Sequence, residues 1–225
     1  MPGPVWTDDL PRDAARIAAN ARGLVSAFHA SAAARDVPTV ATVRSWHEQL
    51  YDGCWVASPQ YLGGLRGDPV RPHLVGYEVG VGPDQLDGMP DRMGVWSHEV
   101  VGQVSTLFSE TTSALAVLDT AFPLGLRPRT VDELQSVVGF IAAVHGEWVR
   151  IHPFANGNGR TARLWAAFLA LRYGLPVFVT VKPRPDDVAY ALASRASMGR
   201  PPDFVGDHTP ARNVFIHLLS LTLLP

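Results

Sequence analysis

Apolar residues recur at intervals of three and four through most of this chain, and that period predicts helices. Leu10, Ile17, Leu24, Val25 and Phe28 share one stripe of an alanine- and arginine-rich segment from Asp8 to Ala34. A second helix is expected from Thr39 to Leu50, capped by Thr39 or Thr42. The period returns at roughly Val95 to Asp119 and again at Val131 to Arg150, where Leu134, Val137, Val138, Ile141, His145, Trp148 and Val149 mark it. From Gly159 to Tyr173, Leu164, Trp165, Phe168, Leu169 and Leu171 form another helical pattern, ended by Gly174. A short helix at Asp186 to Arg195 follows Pro183 and Pro185, and Thr209-Pro210 reads as the cap and first residue of a last helix to Leu223. Between Asp52 and Arg92 the helical period fails. There, Pro72-His73-Leu74-Val75 and Tyr77-Glu78-Val79 flank Gly76 within a piece from Val70 to Val81, which predicts a hairpin or extended flap. The pattern as a whole predicts an all-α domain with one β-hairpin.

Composition narrows the picture. With 225 residues, 47% of them hydrophobic, the chain can fill one core, and no solenoid repeat is visible. A net charge of −2 gives no overall field toward nucleic acid or membrane, so neither is expected as a partner. Cys54 is the only cysteine, which excludes an internal disulfide and agrees with a reducing compartment. Asp8 and Asp9 near the start, without a long apolar run, do not make a signal peptide, and no stretch of about 18 apolar residues appears. The expected location is the cytoplasm, or that of a secreted effector without a recognisable signal.

The chemistry is concentrated in His152-Pro153-Phe154-Ala155-Asn156-Gly157-Asn158-Gly159-Arg160-Thr161-Ala162-Arg163. A glycine-rich loop feeding a helix N-terminus favours anions, because unpaired N–H groups and the helix dipole both attract negative charge. Gly157 and Gly159 let the backbone approach a ligand, and Arg160 and Arg163, three apart, can serve the same anion. His152 is the one group in the run that titrates near neutrality, so it is the candidate general base. The segment Gly157 to Ala162 also satisfies the loose pattern G-x-G-x-x-A, but a helix precedes it where a dinucleotide fold needs a strand.

This run resembles the signature of Fic-domain proteins, His-x-Phe-x-Asp/Glu-Gly-Asn-Gly-Arg-x-x-Arg, matched at every fixed position but one. The resemblance implies a Fic-type helical bundle with a flap over the active site. It also implies transfer of AMP from ATP, with Mg²⁺, to a Ser, Thr or Tyr hydroxyl of a target protein. His152 is then the base and Phe154 the loop's core anchor. Gly157, Asn158 and Gly159 cradle the phosphates, Arg160 braces them, and Arg163 holds the terminal phosphate. Asn156 stands where the family has a magnesium-binding carboxylate; an amide oxygen brings no charge to the ion. Death-on-curing toxins accept Asn there but replace the glycines, whereas this chain keeps them, which favours nucleotide transfer over a kinase. Weaker matches flank the signature: Ser45 to Leu50, then Gly63-Gly64-Leu65-Arg66, and His145 seven residues before His152. The resemblance divides the chain into an N-terminal helical segment (1–38), a Fic-like core (39–199) and a C-terminal helix (200–225). It makes Val75, Gly76 and Tyr77 the target-docking flap, where an extended partner would add as a strand.

Other features carry less. His98-Glu99 lacks a second histidine four residues on, so it makes no zinc helix. His47, His145 and His217 read as packed or capped, and Trp46, Trp148 and Trp165 as core. Lys182-Pro183-Arg184-Pro185 reads as a solvated loop, with a nucleotide-edge contact as the alternative. Many Fic proteins carry an inhibitory Ser/Thr-x-x-x-Glu-Gly/Asn helix. Here only Glu110 has Ser or Thr four residues earlier (Thr106), and Thr111 follows it, so no internal lock is expected. The implied forms are a toxin held by a small antitoxin protein, or an effector needing no lock. A nucleotide-binding regulator of little or no activity, or transfer of UMP, GMP, phosphocholine or phosphate, are the competing readings.

Overall fold

Helix α5 (Asn158–Arg172) is buried on nearly every side, and the other elements are arranged around it. The computed structural model describes residues 3–7, 10–80, 92–185 and 188–223. Among these lie α1 (Pro11–Ala33), α2 (Val40–Leu50), β1 (Val79–Gly80), β2 (Arg92–Met93), α3 (Ser97–Ala121), α4 (Val131–Ile151), α5, α6 (Val188–Met198) and α7 (Thr209–Leu223). Helices α1, α2 and α4 pack against α5, α3 packs on α4, and α6 and α7 pack on each other and on α4. Ala162, Ala166 and Ala170 let neighbouring helices approach α5 closely. Trp165 and Phe168 fill the remaining space against Trp46, Phe28 and Phe108, with ring centroids 5.5–5.6 Å apart. Burying aromatics in such edge-on and tilted pairs adds stabilisation beyond their area alone. The fold is all-α, as the helical period requires.

Capping sets the element starts. Thr39 accepts the Thr42 amide at the start of α2, and Thr130 and Glu133 form a reciprocal capping box at α4. Asp119 joins three helix ends, bonding Arg35 after α1 as well as Arg172 and Tyr173 at the end of α5. The last helix differs from expectation: Thr209 is already helical, His208 accepts its first backbone bond, and the Asp207 carboxylate accepts the Thr209 amide. The expected starts of α1 and α6, at Asp8 and Asp186, lie outside the described residues. His217 is exposed on α7, not packed.

The hairpin falls later in the chain than the sequence pattern places it. Residues 72–76 form turns, and the two-stranded antiparallel pair is β1 with β2, Val79 opposite Met93. The physical reason is Leu74, fully buried, whose backbone bonds Arg71, Gly67 and Tyr77 in successive turns and so breaks any two-residue alternation. Residues 81–91, including Val81 of the expected flap, lie outside the described residues.

Candidate functional site

The signature loop joins α4 to α5 and is fixed from below. His152 caps α4 in the left-handed region (φ 54°), a conformation disfavoured for a residue with a Cβ. Arg66, fully buried, holds it there: its guanidinium donates to the carbonyls of His152 (2.7 Å), Ile151 (3.0 Å) and Val95 (2.9 Å) and pairs with Glu78. Gly94 has no Cβ to collide with His152. Phe154 is buried against His47, with centroids 4.0 Å apart, and Trp148, and it bridges to Leu65. The Asn158 side chain points inward and clasps Phe154, accepting its amide (2.8 Å) and donating to its carbonyl (2.9 Å). Only the backbone of Asn158 therefore faces the ligand side.

Gly157, in the left-handed region at φ 79°, begins α5, and the first bond of that helix runs from Thr161 to Gly157. The preceding turn leaves the amides of Asn158 and Gly159 without an intrahelical acceptor, so they open an anion-binding end. In front lies a cavity of about 900 Å³ lined by His152, Asn156 to Arg160, Arg163 and Arg184, by Gly76 to Val79 and by Gly3 and Val5 to Thr7. The arrangement brings His152, Asn156, Gly157, Asn158, Gly159, Arg160 and Arg163 together around one space.

His152 Nδ1 lies 3.2 Å from the Val149 carbonyl, so that nitrogen carries the proton and Nε2 keeps its lone pair. Burial, then the Arg66 charge, pushes its pKa down to about 3, against the Val149 bond that raises it. The imidazole is neutral at physiological pH, as a base must be, and an entering polyanion would raise its proton affinity. Arg163 is drawn into the core: Nε donates to the Val181 carbonyl (3.0 Å) and one terminal nitrogen to the Tyr190 hydroxyl (3.3 Å). Its other terminal nitrogen makes no hydrogen bond to the described residues and is the one left for a ligand. Since arginine only donates, the Tyr190 hydroxyl accepts from Arg163 and donates its own hydrogen bond to His145 Nε2, 3.0 Å away. Burial lowers the His145 pKa to about 3. His145 is thus linked through Tyr190 to Arg163. Arg160 donates to the Tyr51 hydroxyl (2.8 Å).

Asn156 is engaged at both ends of its amide, accepting the Gly157 N–H and donating to the Trp6 carbonyl, each at 2.8 Å. His47 accepts the Gly63 amide on Nδ1, so its Nε2–H donates to the Asn156 carbonyl (3.0 Å). The donor set around position 156 does not fit a magnesium ion held by the protein. Glu78 is the one carboxylate among the described residues lining the cavity, and it is tied to Arg66 and the Ser97 amide. No group of three His, Cys, Asp or Glu suited to a metal occurs among the described residues.

Of the expected flap, Gly76 and Tyr77 line the cavity and Val75 is exposed, all in turn or irregular backbone. Tyr77 is buried, its ring 5.3 Å from Tyr61 and its hydroxyl accepting the Trp6 amide (3.4 Å). Three participants escaped the sequence reading: Trp6, Tyr51 and Tyr190. Helical spacing could place Tyr190 on a helix and Tyr51 just past the end of one, but nothing local signals which arginine each would meet. No helix among the described residues is long and apolar enough to cross a membrane.

Comparison with known proteins agrees with this geometry. The model of the Fic/DOC family matches residues 38–170. A "Protein adenylyltransferase Fic" of Nematostella vectensis is 33% identical over 94 residues, 41% of this chain and 22% of that protein. One of the same name from Drosophila erecta is 38% identical over 68 residues, 30% of this chain and 14% of that protein. The matched segments thus span less than a quarter of these relatives' length. A Fic domain containing signaling protein from Bacteroides thetaiotaomicron shares the fold, with a TM-score of 0.56 at 18% identity over 91% of this chain and 65% of that one.

Proposed function

From the premise that this chain belongs to the Fic/DOC family, we propose that it is a protein adenylyltransferase, moving AMP from ATP to a side-chain hydroxyl of a target protein. The observation that carries the reading is the fixed His152 tautomer: with Nδ1–H held by Val149, a lone pair on Nε2 is available beside the α5 N-terminus and Arg163. The target's hydroxyl oxygen attacks the α-phosphorus while Nε2 takes its proton. The bond from that phosphorus to the bridging oxygen breaks, and pyrophosphate leaves. The open amides at Asn158 and Gly159 and the Arg163 guanidinium stabilise phosphate charge, which is the main source of catalysis in such transfers. Magnesium, in this reading, comes with ATP and is bound through its phosphates, without a carboxylate from position 156.

No glutamate is among the described partners of Arg163, and Glu110 is exposed on α3. This favours a form without its own glutamate lock on Arg163 among the described residues, either held by a small antitoxin protein or an effector needing no lock. The test is incubation of the pure protein with ATP labelled at the α- or the γ-phosphate, with cell lysate as target source. Label from the α-phosphate on protein is expected. Label from the γ-phosphate alone would make it a kinase, and tight ATP binding without labelled protein would make it a regulator.

A further inference from the structure

We infer that Asn156 is the latch of a strap, residues 3–7, that forms one wall of the cavity, and that its amide serves this bond in place of a metal-binding carboxylate. The strap is pinned along its length. The Gly3 amide donates to the His73 carbonyl (3.1 Å), Tyr61 donates to the Pro4 carbonyl, and the Trp6 amide donates to Tyr77. Trp6 is 3% exposed, its ring edge-on to Tyr51 at 4.8 Å and stacked with Tyr61 at 6.0 Å. Gly3 fits because a Cβ there would collide with Tyr61 and His73. The last pin is Asn156 Nδ2 to the Trp6 carbonyl, the bond that joins the strap to the signature loop.

That bond explains the residue type. The amide orientation is dictated by its partners, since the oxygen must face the Gly157 N–H and the nitrogen the Trp6 carbonyl. Aspartate could accept from Gly157 but would set a carboxylate against the Trp6 oxygen, two acceptors in contact. A carboxylate at 156 and a latched strap are therefore incompatible. The family's metal position has here become a structural joint. The latch stands on geometry alone; that the walled cavity takes a nucleotide rests on the reading above.

Hydrogen–deuterium exchange on the full chain tests it without any activity assay. In Asn156→Asp and Asn156→Ala, the fragment covering residues 1–10 should exchange roughly 2- to 10-fold faster, the effect of losing one hydrogen bond. Helices α4 and α5 should keep wild-type rates. Wild-type exchange of the strap in both variants would overturn the latch, and so would equal acceleration throughout the chain. Mg²⁺ alone should leave wild-type rates unchanged; slowing confined to residues 155–158 would return position 156 to the metal. ATP binding by the wild-type protein, followed by calorimetry, judges the nucleotide reading separately: its absence, with a released strap in both variants, sinks that reading and keeps the latch.

Discussion

His152 and Arg163 each owe their usefulness to a partner that removes an alternative. The Val149 carbonyl accepts the hydrogen bond from Nδ1–H and so decides which nitrogen of His152 can act as base. Replacing His152 with alanine should leave folding and ATP affinity largely intact while transfer falls by roughly 10²–10⁴-fold, the usual worth of a general base. Near wild-type labelling by that variant would remove the assignment. Tyr190 plays the corresponding part for Arg163. Arg163→Ala should weaken ATP far more than AMP, because AMP lacks the terminal phosphate. Tyr190→Phe should reproduce that bias at a smaller scale, roughly 2–10-fold in ATP affinity, a fraction of the about 1.5–3 kcal/mol that a hydrogen bond to a charged group is worth, since it only positions the arginine. Its kcat should change less than its KM. Equal losses for ATP and AMP in both variants would place the arginine elsewhere.

At the scale of elements, the loop and the helix it feeds can be separated by experiment. Gly157 adopts φ 79°, and a Cβ there would sit 2.5 Å from the Tyr51 hydroxyl. Gly157→Ala therefore incurs about 1–2 kcal/mol of backbone strain and displaces Tyr51, the partner of Arg160. Thr130→Ala removes the capping box of α4 at a cost of about 1 kcal/mol, but at the far end of that helix from the loop. Both variants should melt a few degrees lower, at about 2–4 °C per kcal/mol for a chain of this size. Only Gly157→Ala should also weaken ATP binding. If Thr130→Ala weakened it equally, the loop would be reporting general stability and not its own geometry.

Over the whole molecule, burial of neutral imidazoles sets the response to acid. Burial pushes His47 down to about 4 and His145 and His152 to about 3, whereas in the unfolded chain all three take protons near 6.5. Below 6.5 the unfolded state thus binds up to three more protons than the folded state. Stability must therefore rise with pH across that window and fall on acidification, by up to about 1.4 kcal/mol per pH unit for each histidine. Glu147 adds to the loss at lower pH. Burial alone would raise its pKa, but His208 and Arg150 bring it down to about 2, so its contribution disappears below 4.5. The melting temperature should be lower at pH 5.5 than at pH 7.5 by roughly 8–16 °C. A flat profile between those values would show that the histidines are not held neutral.

The helices, their approximate limits and the membership of the signature residues in one site were legible in the sequence, because each rests on near neighbours in the chain. A 3.6-residue period, a cap close in sequence to its partner and a glycine at a helix start are local facts. The hairpin was misplaced because Leu74 is pulled into a core made by distant segments, which overrides the alternation around Gly76. Helix α7 likewise takes its start from Asp207 and His208 and not from Thr209. The roles of Asn156, Asn158 and His145 were decided only by tertiary structure. Asn156 meets a carbonyl 150 positions away, and His145 reaches Arg163 through a tyrosine 45 positions on. A hydrogen-bonding side chain takes its function from its partner, and no pattern along the chain names partners that folding alone brings within about 3 Å.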